Sequence, residues 1–155
     1  MDKQFRVSML YLKECISRVL FFVERFWQEL LKFSRRTESQ IARWAARYGI
    51  KDNPKATLDN AKKNYSGRYT CVNLTNYHTI EFRIFRGTLK YNTLVATLQL
   101  VNRICDLAIN MNDKEMTQLN WCDFVSSVEE PELITYLKER RLYVNEPIEC
   151  EQEEV

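Results

Sequence analysis

Apolar residues at Met9, Leu12, Ile16, Val19, Val23, Phe26, Leu30 and Phe33 fall three and four positions apart, a spacing that gathers them on one face of a helix. Lys13, Glu14, Arg18, Arg25, Gln28, Glu29 and Lys32 take the other sides. Leu20, Phe22, Trp27 and Leu31 widen the stripe beyond a coiled-coil seam, which favours packing onto a globular core. One long helix is predicted. Thr37-Glu38-Ser39-Gln40 then has the form of a capping box, followed by a short apolar face of Ile41, Trp44, Ala45 and Tyr48 that Gly49 should end.

From Lys51 to Gly67 the chain turns polar and contains Pro54, so a loop is expected, with a short helix near Thr57 to Lys63, as the best candidate for a mobile connection. The period changes next. Tyr69 to Leu74 and Thr79 to Phe85 are rich in β-branched and aromatic residues, and Thr75-Asn76-Tyr77-His78 separates them at hairpin length. Two antiparallel strands, near 69–74 and 79–86, are predicted. Asn92 is placed to cap a following helix whose buried face is Leu94, Leu98, Val101, Cys105 and Ala108, with Arg103 and Asp106 outside. Two short helices, Trp121 to Val128 and Glu132 to Arg140, flank Pro131. The expected architecture is α+β, mostly helical, with a small antiparallel sheet packed against helices. It forms a single domain over 1–145 with an acidic disordered tail over 146–155.

Composition sharpens this picture. A chain of 155 residues, 45% of them hydrophobic, can bury a core without disulfide or metal staples, and three Gly and three Pro are too few for a loop-dominated β sandwich. Charge is sorted along the chain, at +8 over 1–68, +2 over 69–112 and −8 over 113–155. A basic front half could attract nucleic acid or phosphorylated ligands, or be neutralised by the acidic end of the same molecule. Five cysteines without a CxxC pair give no metal or disulfide framework. There is one histidine, His78, and no nucleophile-elbow motif accompanies it. No signal peptide or membrane-length apolar run is visible, and a cytoplasmic location is expected.

Candidate chemistry sits on the second predicted strand. Alternation puts Ile80, Phe82 and Ile84 on one face and Thr79, Glu81 and Arg83 on the other. Glu81 is a candidate ligand for a hard cation such as magnesium, and the planar fork of Arg83 suits a carboxylate or phosphate. Asn73 joins that face if Val72 and Leu74 point to the core. The bland alternative is a solvated strand face with a weak ion pair. Arg86 could reach a phosphate where the strand ends, or Gly87 after it could simply turn the chain. Trp27, Trp44 and Trp121 fit helix packing better than base stacking.

The stretch Arg68-Tyr69-Thr70-Cys71-Val72-Asn73-Leu74, followed by Thr79-Ile80-Glu81-Phe82-Arg83-Ile84-Phe85-Arg86-Gly87-Thr88-Leu89, resembles the end of the amidoligase family. Its members are regarded as glutamine-synthetase-like, ATP-dependent carboxylate–amine ligases that form amide bonds through an acyl phosphate. The similarity runs from about Arg18 to about Pro147. It implies a glutamine-synthetase-like fold, ATP and magnesium as cofactors, and a small-molecule or peptide carboxylate and amine as substrates. By position, Glu81 is similar to the metal-binding carboxylate of the Arg-x-Glu-x-Arg pattern, and Arg83 to the arginine that contacts the acyl substrate or transferred phosphate. Thr79 stands where that pattern has its first arginine, a role that falls to Arg68 or Arg86.

The family's opening strand, with a Gly-x-Glu-x-Glu type of motif, has no counterpart before Arg68. The resemblance therefore implies the C-terminal part of such a ligase, truncated and unlikely to work alone. Its missing part would be supplied in trans, or the open sheet edge would pair with a second copy. The second expectation is a non-enzymatic module that binds nucleic acid or a protein partner through its basic helices, including Arg35, Arg36, Arg43 and Arg47.

Overall fold

The computed structural model describes residues 3–143, with side chains described from residue 10 onward. The elements run α1 (Lys3–Arg25), α2 (Trp27–Ser34), α3 (Glu38–Trp44), α4 (Pro54–Asn64), β1 (Val72–Asn73), β2 (Glu81–Phe82), α5 (Tyr91–Asn110), α6 (Asp113–Gln118), α7 (Trp121–Ser126) and α8 (Pro131–Glu139). Among the described residues the architecture is mostly helical with a small two-stranded antiparallel sheet, as an α+β reading requires. The expected acidic tail over 146–155 lies outside the described residues.

The long helix is present but bends at Phe26 (φ −98°, ψ 36°), which separates α1 from α2. Hydrogen bonds from the Phe26 amide to the Phe22 carbonyl (3.0 Å) and from Leu30 to Phe26 (2.9 Å) carry the ladder across the bend. No proline or glycine lies there. The Phe26 ring is packed between Phe22 (4.8 Å) and Trp121 (5.5 Å), so tertiary packing holds the bend. Around this point α1 is buried on every side: Val19, Leu20, Phe21, Phe22, Val23 and even Glu24 are shielded from solvent. It is a central helix, not the half-exposed one the stripe suggested. Two positions depart from the pattern, since Leu12 is exposed and Arg18, expected outside, is buried. Arg18 donates to the Ala108 carbonyl (2.6 Å) and to Asp113 (3.0 Å).

The capping box forms, with Thr37 Oγ1 accepting from the Gln40 amide (3.3 Å) and Gln40 Oε1 accepting from the Thr37 amide (3.2 Å). Helix α3 nevertheless stops at Trp44, before Gly49. Ala46 leaves the helix to form a parallel bridge with Thr70, through hydrogen bonds to Tyr69 and from Cys71, both 2.9 Å. Gly49 instead takes a left-handed turn at φ 93°. The short helix expected near Thr57 to Lys63 is present and longer, so that the polar segment is mainly α4, started by Pro54 at its first position and capped by Asn53 Oδ1, which accepts from the Ala56 amide (2.8 Å). Its buried Leu58 and Ala61 pack into the core beside α1.

The strands are much shorter than predicted. Pairing is limited to Val72 with Phe82 and Asn73 with Glu81, and the intervening chain makes a wider loop than a hairpin turn. Helix α5 also buries a stripe that shares only Ala108 with the predicted one, namely Thr93, Ala96, Leu100, Ile104 and Ala108. Leu94 and Leu98 are exposed. Asn92 does not cap it; its side-chain Nδ2 donates to the Glu132 carbonyl (3.2 Å) and ties α5 to α8. Helix α6, absent from the sequence reading, is capped by Asn112, whose Oδ1 accepts from the Glu115 amide (2.8 Å).

Candidate functional site

The candidate face is held in place from beneath by a buried carboxylate. Glu24, inside α1, accepts from Arg47 Nε (2.7 Å) and from the Tyr48 amide (2.8 Å), and the Cys71 thiol lies 3.8 Å from the same carboxylate. Tyr48 Oη lies 2.8 Å from both Thr70 Oγ1 and the Val72 carbonyl oxygen. Burial, together with the nearby Glu24 charge, pushes the Cys71 thiol well above its ordinary range, so it is a protonated core group and not a nucleophile. This network pins β1 to α1.

On that base, Asn73 and Glu81 face each other across the register pair. Asn73 is 2% exposed and donates from Nδ2 to Glu81 Oε2 (3.0 Å), while its Oδ1 accepts from the Thr75 amide (3.0 Å) and hydroxyl (2.7 Å). Arg83 Nη1 holds the other Glu81 oxygen at 2.9 Å. The side chains of Ile80, Phe82 and Ile84 turn to the core. The alternation read from sequence thus persists although formal strand pairing covers two residues on each side. The Asn73 hydrogen bond lowers the Glu81 carboxyl below its ordinary range, against the cost of burial, and the Arg83 and Arg68 charges act in the same direction.

Arg83 is anchored as well as paired: Nε donates to the Trp44 carbonyl (3.3 Å), and the guanidinium sits 5.2 Å from the Tyr69 ring centre. Arg68 covers the same ring at 5.1 Å, Arg43 covers Trp44 at 4.7 Å, and the Trp44 and Tyr69 rings meet edge to face at 5.5 Å. Trp44 and Tyr69 are both partly exposed. Trp27 and Trp121 are buried, as helix packing required, so Trp44 alone departs from that expectation.

Arg86 goes elsewhere. Its amide donates to the Ser34 carbonyl (3.2 Å), and its side chain lines a separate cleft of about 720 Å³ with Lys32, Arg35, Arg36 and Arg140. Glu81, Asn73, Arg83 and Arg68 do not line it. Arg140 is not legible in the sequence because it approaches from the end of α8, far along the chain, and Lys32, within a turn of the Arg35-Arg36 pair, reads only as an outer position of the helix. Thr79 lies in the loop before β2, and His78 is exposed there against Tyr77 (4.4 Å).

Among the described residues, no group of three or more His, Cys, Asp or Glu side chains comes together as a metal site. None of their helices is long and apolar enough to cross a membrane. No protein-family model matches the chain, and neither a curated protein nor a solved structure matches it.

Proposed function

We propose that the chain is the C-terminal part of an amidoligase-like, ATP-dependent carboxylate–amine ligase, contributing the Glu81 face to a site it does not complete alone. One observation carries this reading: Glu81, Asn73 and Arg83 converge on one side of the sheet, with both carboxylate oxygens held and the arginine anchored. In the proposal Arg83 grips the acyl substrate or the transferred phosphate, and Asn73 and Arg68 hold Glu81 ionised and oriented.

The described residues do not fit a complete magnesium site, because Glu81 is one carboxylate where such a cation with a triphosphate needs several ligands. Metal chemistry in this proposal depends on ligands from another segment, supplied in trans or by a second copy. The outer edge of β2, which has no strand beside it among the described residues, is where that segment would pair. Calorimetric titration with magnesium and ATP tests the assignment. Binding of ATP that strengthens on adding magnesium is expected in the wild type, whereas Glu81→Gln and Arg83→Ala should show no magnesium effect; an equal magnesium effect in all three removes the assignment.

A second reading has one observation in its favour. Partly exposed Trp44 and Tyr69, interleaved with Arg43, Arg68 and Arg83, resemble a stacking platform for single-stranded nucleic acid. Arg47, one of the expected contact residues, is engaged by Glu24 instead. This reading requires binding of a single-stranded oligonucleotide that weakens steeply with salt and is lost in Trp44→Ala.

A further inference from the structure

The cleft that receives Arg86 is built from three separate pieces of chain: the stretch along α2 and into α3, with Gln28, Leu31, Lys32, Arg35, Arg36 and Thr37, then Arg86 after β2, and Arg140 after α8. Five of these side chains are cationic, and no described residue lining the cleft is acidic. Three of the arginines are fixed by carbonyl oxygens, which orient a guanidinium without neutralising it. Arg35 Nη2 donates to the Arg86 carbonyl (3.0 Å), Arg36 Nη2 to that of Phe85 (3.4 Å), and Arg140 Nε and Nη2 to that of Lys32 (3.0 and 2.7 Å). Arg35 itself sits at φ 60°, a left-handed conformation that arginine adopts at a cost.

Two donors remain unanswered. Arg35 Nε and Arg36 Nε are buried and have no acceptor among the described residues, a condition that native proteins resolve with a water, an ion or a ligand oxygen. Like charge is also crowded there, since burial and then the Arg83 and Arg86 charges lower the proton affinity of Arg36. Such a cluster is stabilised by an anion with several oxygens, and bidentate guanidinium geometry favours phosphate. The cleft, about 720 Å³, falls within the roughly 300–1,000 Å³ range of small-molecule sites, and its five cations line one open hollow. A single phosphate would answer only part of five charges.

We propose that the Lys32–Arg35–Arg36–Arg86–Arg140 cleft binds a compact polyphosphate anion, two or more phosphates on a small molecule, directly and without a metal. This does not rest on the ligase reading, because none of the Glu81 face lines the cleft.

The test uses the full chain at low ionic strength, in chelator, titrated calorimetrically with inorganic tripolyphosphate and with orthophosphate. Tripolyphosphate is expected to bind at least about tenfold more tightly than orthophosphate, and Arg36→Gln and Arg86→Gln each to weaken it about tenfold, the loss of one charge-assisted hydrogen-bonding group. Lys32→Gln, whose ammonium makes only a 3.5 Å contact to the Arg141 carbonyl, is a milder variant and keeps the test readable if Arg36→Gln fails to fold. Lys62→Gln, exposed on α4 and outside the cleft, should leave affinity within about twofold, as expected of an independent position. Three results would each overturn the proposal: no binding in the wild type, an equal loss in Lys62→Gln, or binding that appears only with magnesium and disappears in Glu81→Gln. The last would assign the phosphate to the ligase face.

Discussion

The Glu24 carboxylate, fully buried within α1, is bound at 2.7 Å by the Nε of Arg47, whose own side chain is 40% exposed. The pair is asymmetric, and so are its consequences. Removing the arginine strands a buried negative charge, whereas removing the charge of Glu24 leaves an arginine that water can reach. Arg47→Met should therefore cost about 3 kcal/mol or more, and Glu24→Gln a smaller amount, about 1–2 kcal/mol. Urea denaturation of both variants checks the order. Equal small losses would mean that the pair does not hold the chain's centre.

Tyr48 gives the alkaline limit. Burial pushes its hydroxyl from 10.0 up to about 12, partly opposed by the Thr70 hydrogen bond. Because the folded value is raised, the stabilisation is complete below pH 10 and is lost as pH climbs through about 12. Tyr48→Phe should lower stability at neutral pH by about 1 kcal/mol and flatten the decline over that window. An unchanged alkaline profile in the variant would show that Tyr48 is not the group responsible.

Glu81 acts at the other end of the scale. Its folded carboxyl lies below the ordinary 4.5, so its contribution is present above that value and disappears as pH falls through the depressed one. Asn73 supplies the largest effect. In Asn73→Ala the Glu81 carboxyl should titrate closer to 4.5, as read by carbon NMR of the side chain. An unshifted titration would mean that the Asn73 hydrogen bond does not govern it.

Helix α5 supplies a test of register. Leu100→Ala, at a fully buried position, should cost about 2–5 kcal/mol, while Leu98→Ser on the exposed side should cost less than about 0.5 kcal/mol. Comparable losses would put the helix in the register that sequence periodicity predicted.

That helix also shows where legibility ends. Leu94, Leu98, Leu100, Val101, Ile104 and Leu107 occupy more than one stripe, so period alone could not choose the buried one, and small Thr93 and Ala96 carried no hydrophobic signal. Local chemistry was readable: the Thr37 capping box, Pro131 at a helix start, and the alternation that brings Asn73, Glu81 and Arg83 together. Features made by distant partners were not. A charge at position 24 in an apolar run looks like an error until Arg47 and Tyr48 arrive from the segment that follows α3. The 69–74 and 79–86 strands were over-extended because Ala46 takes the bridging position beside Thr70, and Phe85 and Arg86 turn toward α2. The separation of Arg86 from Glu81 follows from that turn.

The central claim, that this chain brings Glu81 and Arg83 to a ligase site it does not complete, is tested most directly by ATP turnover. ADP release is measured with magnesium, ATP and a panel of amino acids serving as both carboxylate and amine. The purified chain is assayed alone and mixed with the N-terminal portion of an amidoligase. The account predicts no useful turnover alone, amino-acid-dependent turnover in the mixture, and loss of that turnover with Glu81→Gln or Arg83→Ala. Robust turnover by the chain alone, or turnover in the mixture that both variants leave intact, would contradict it.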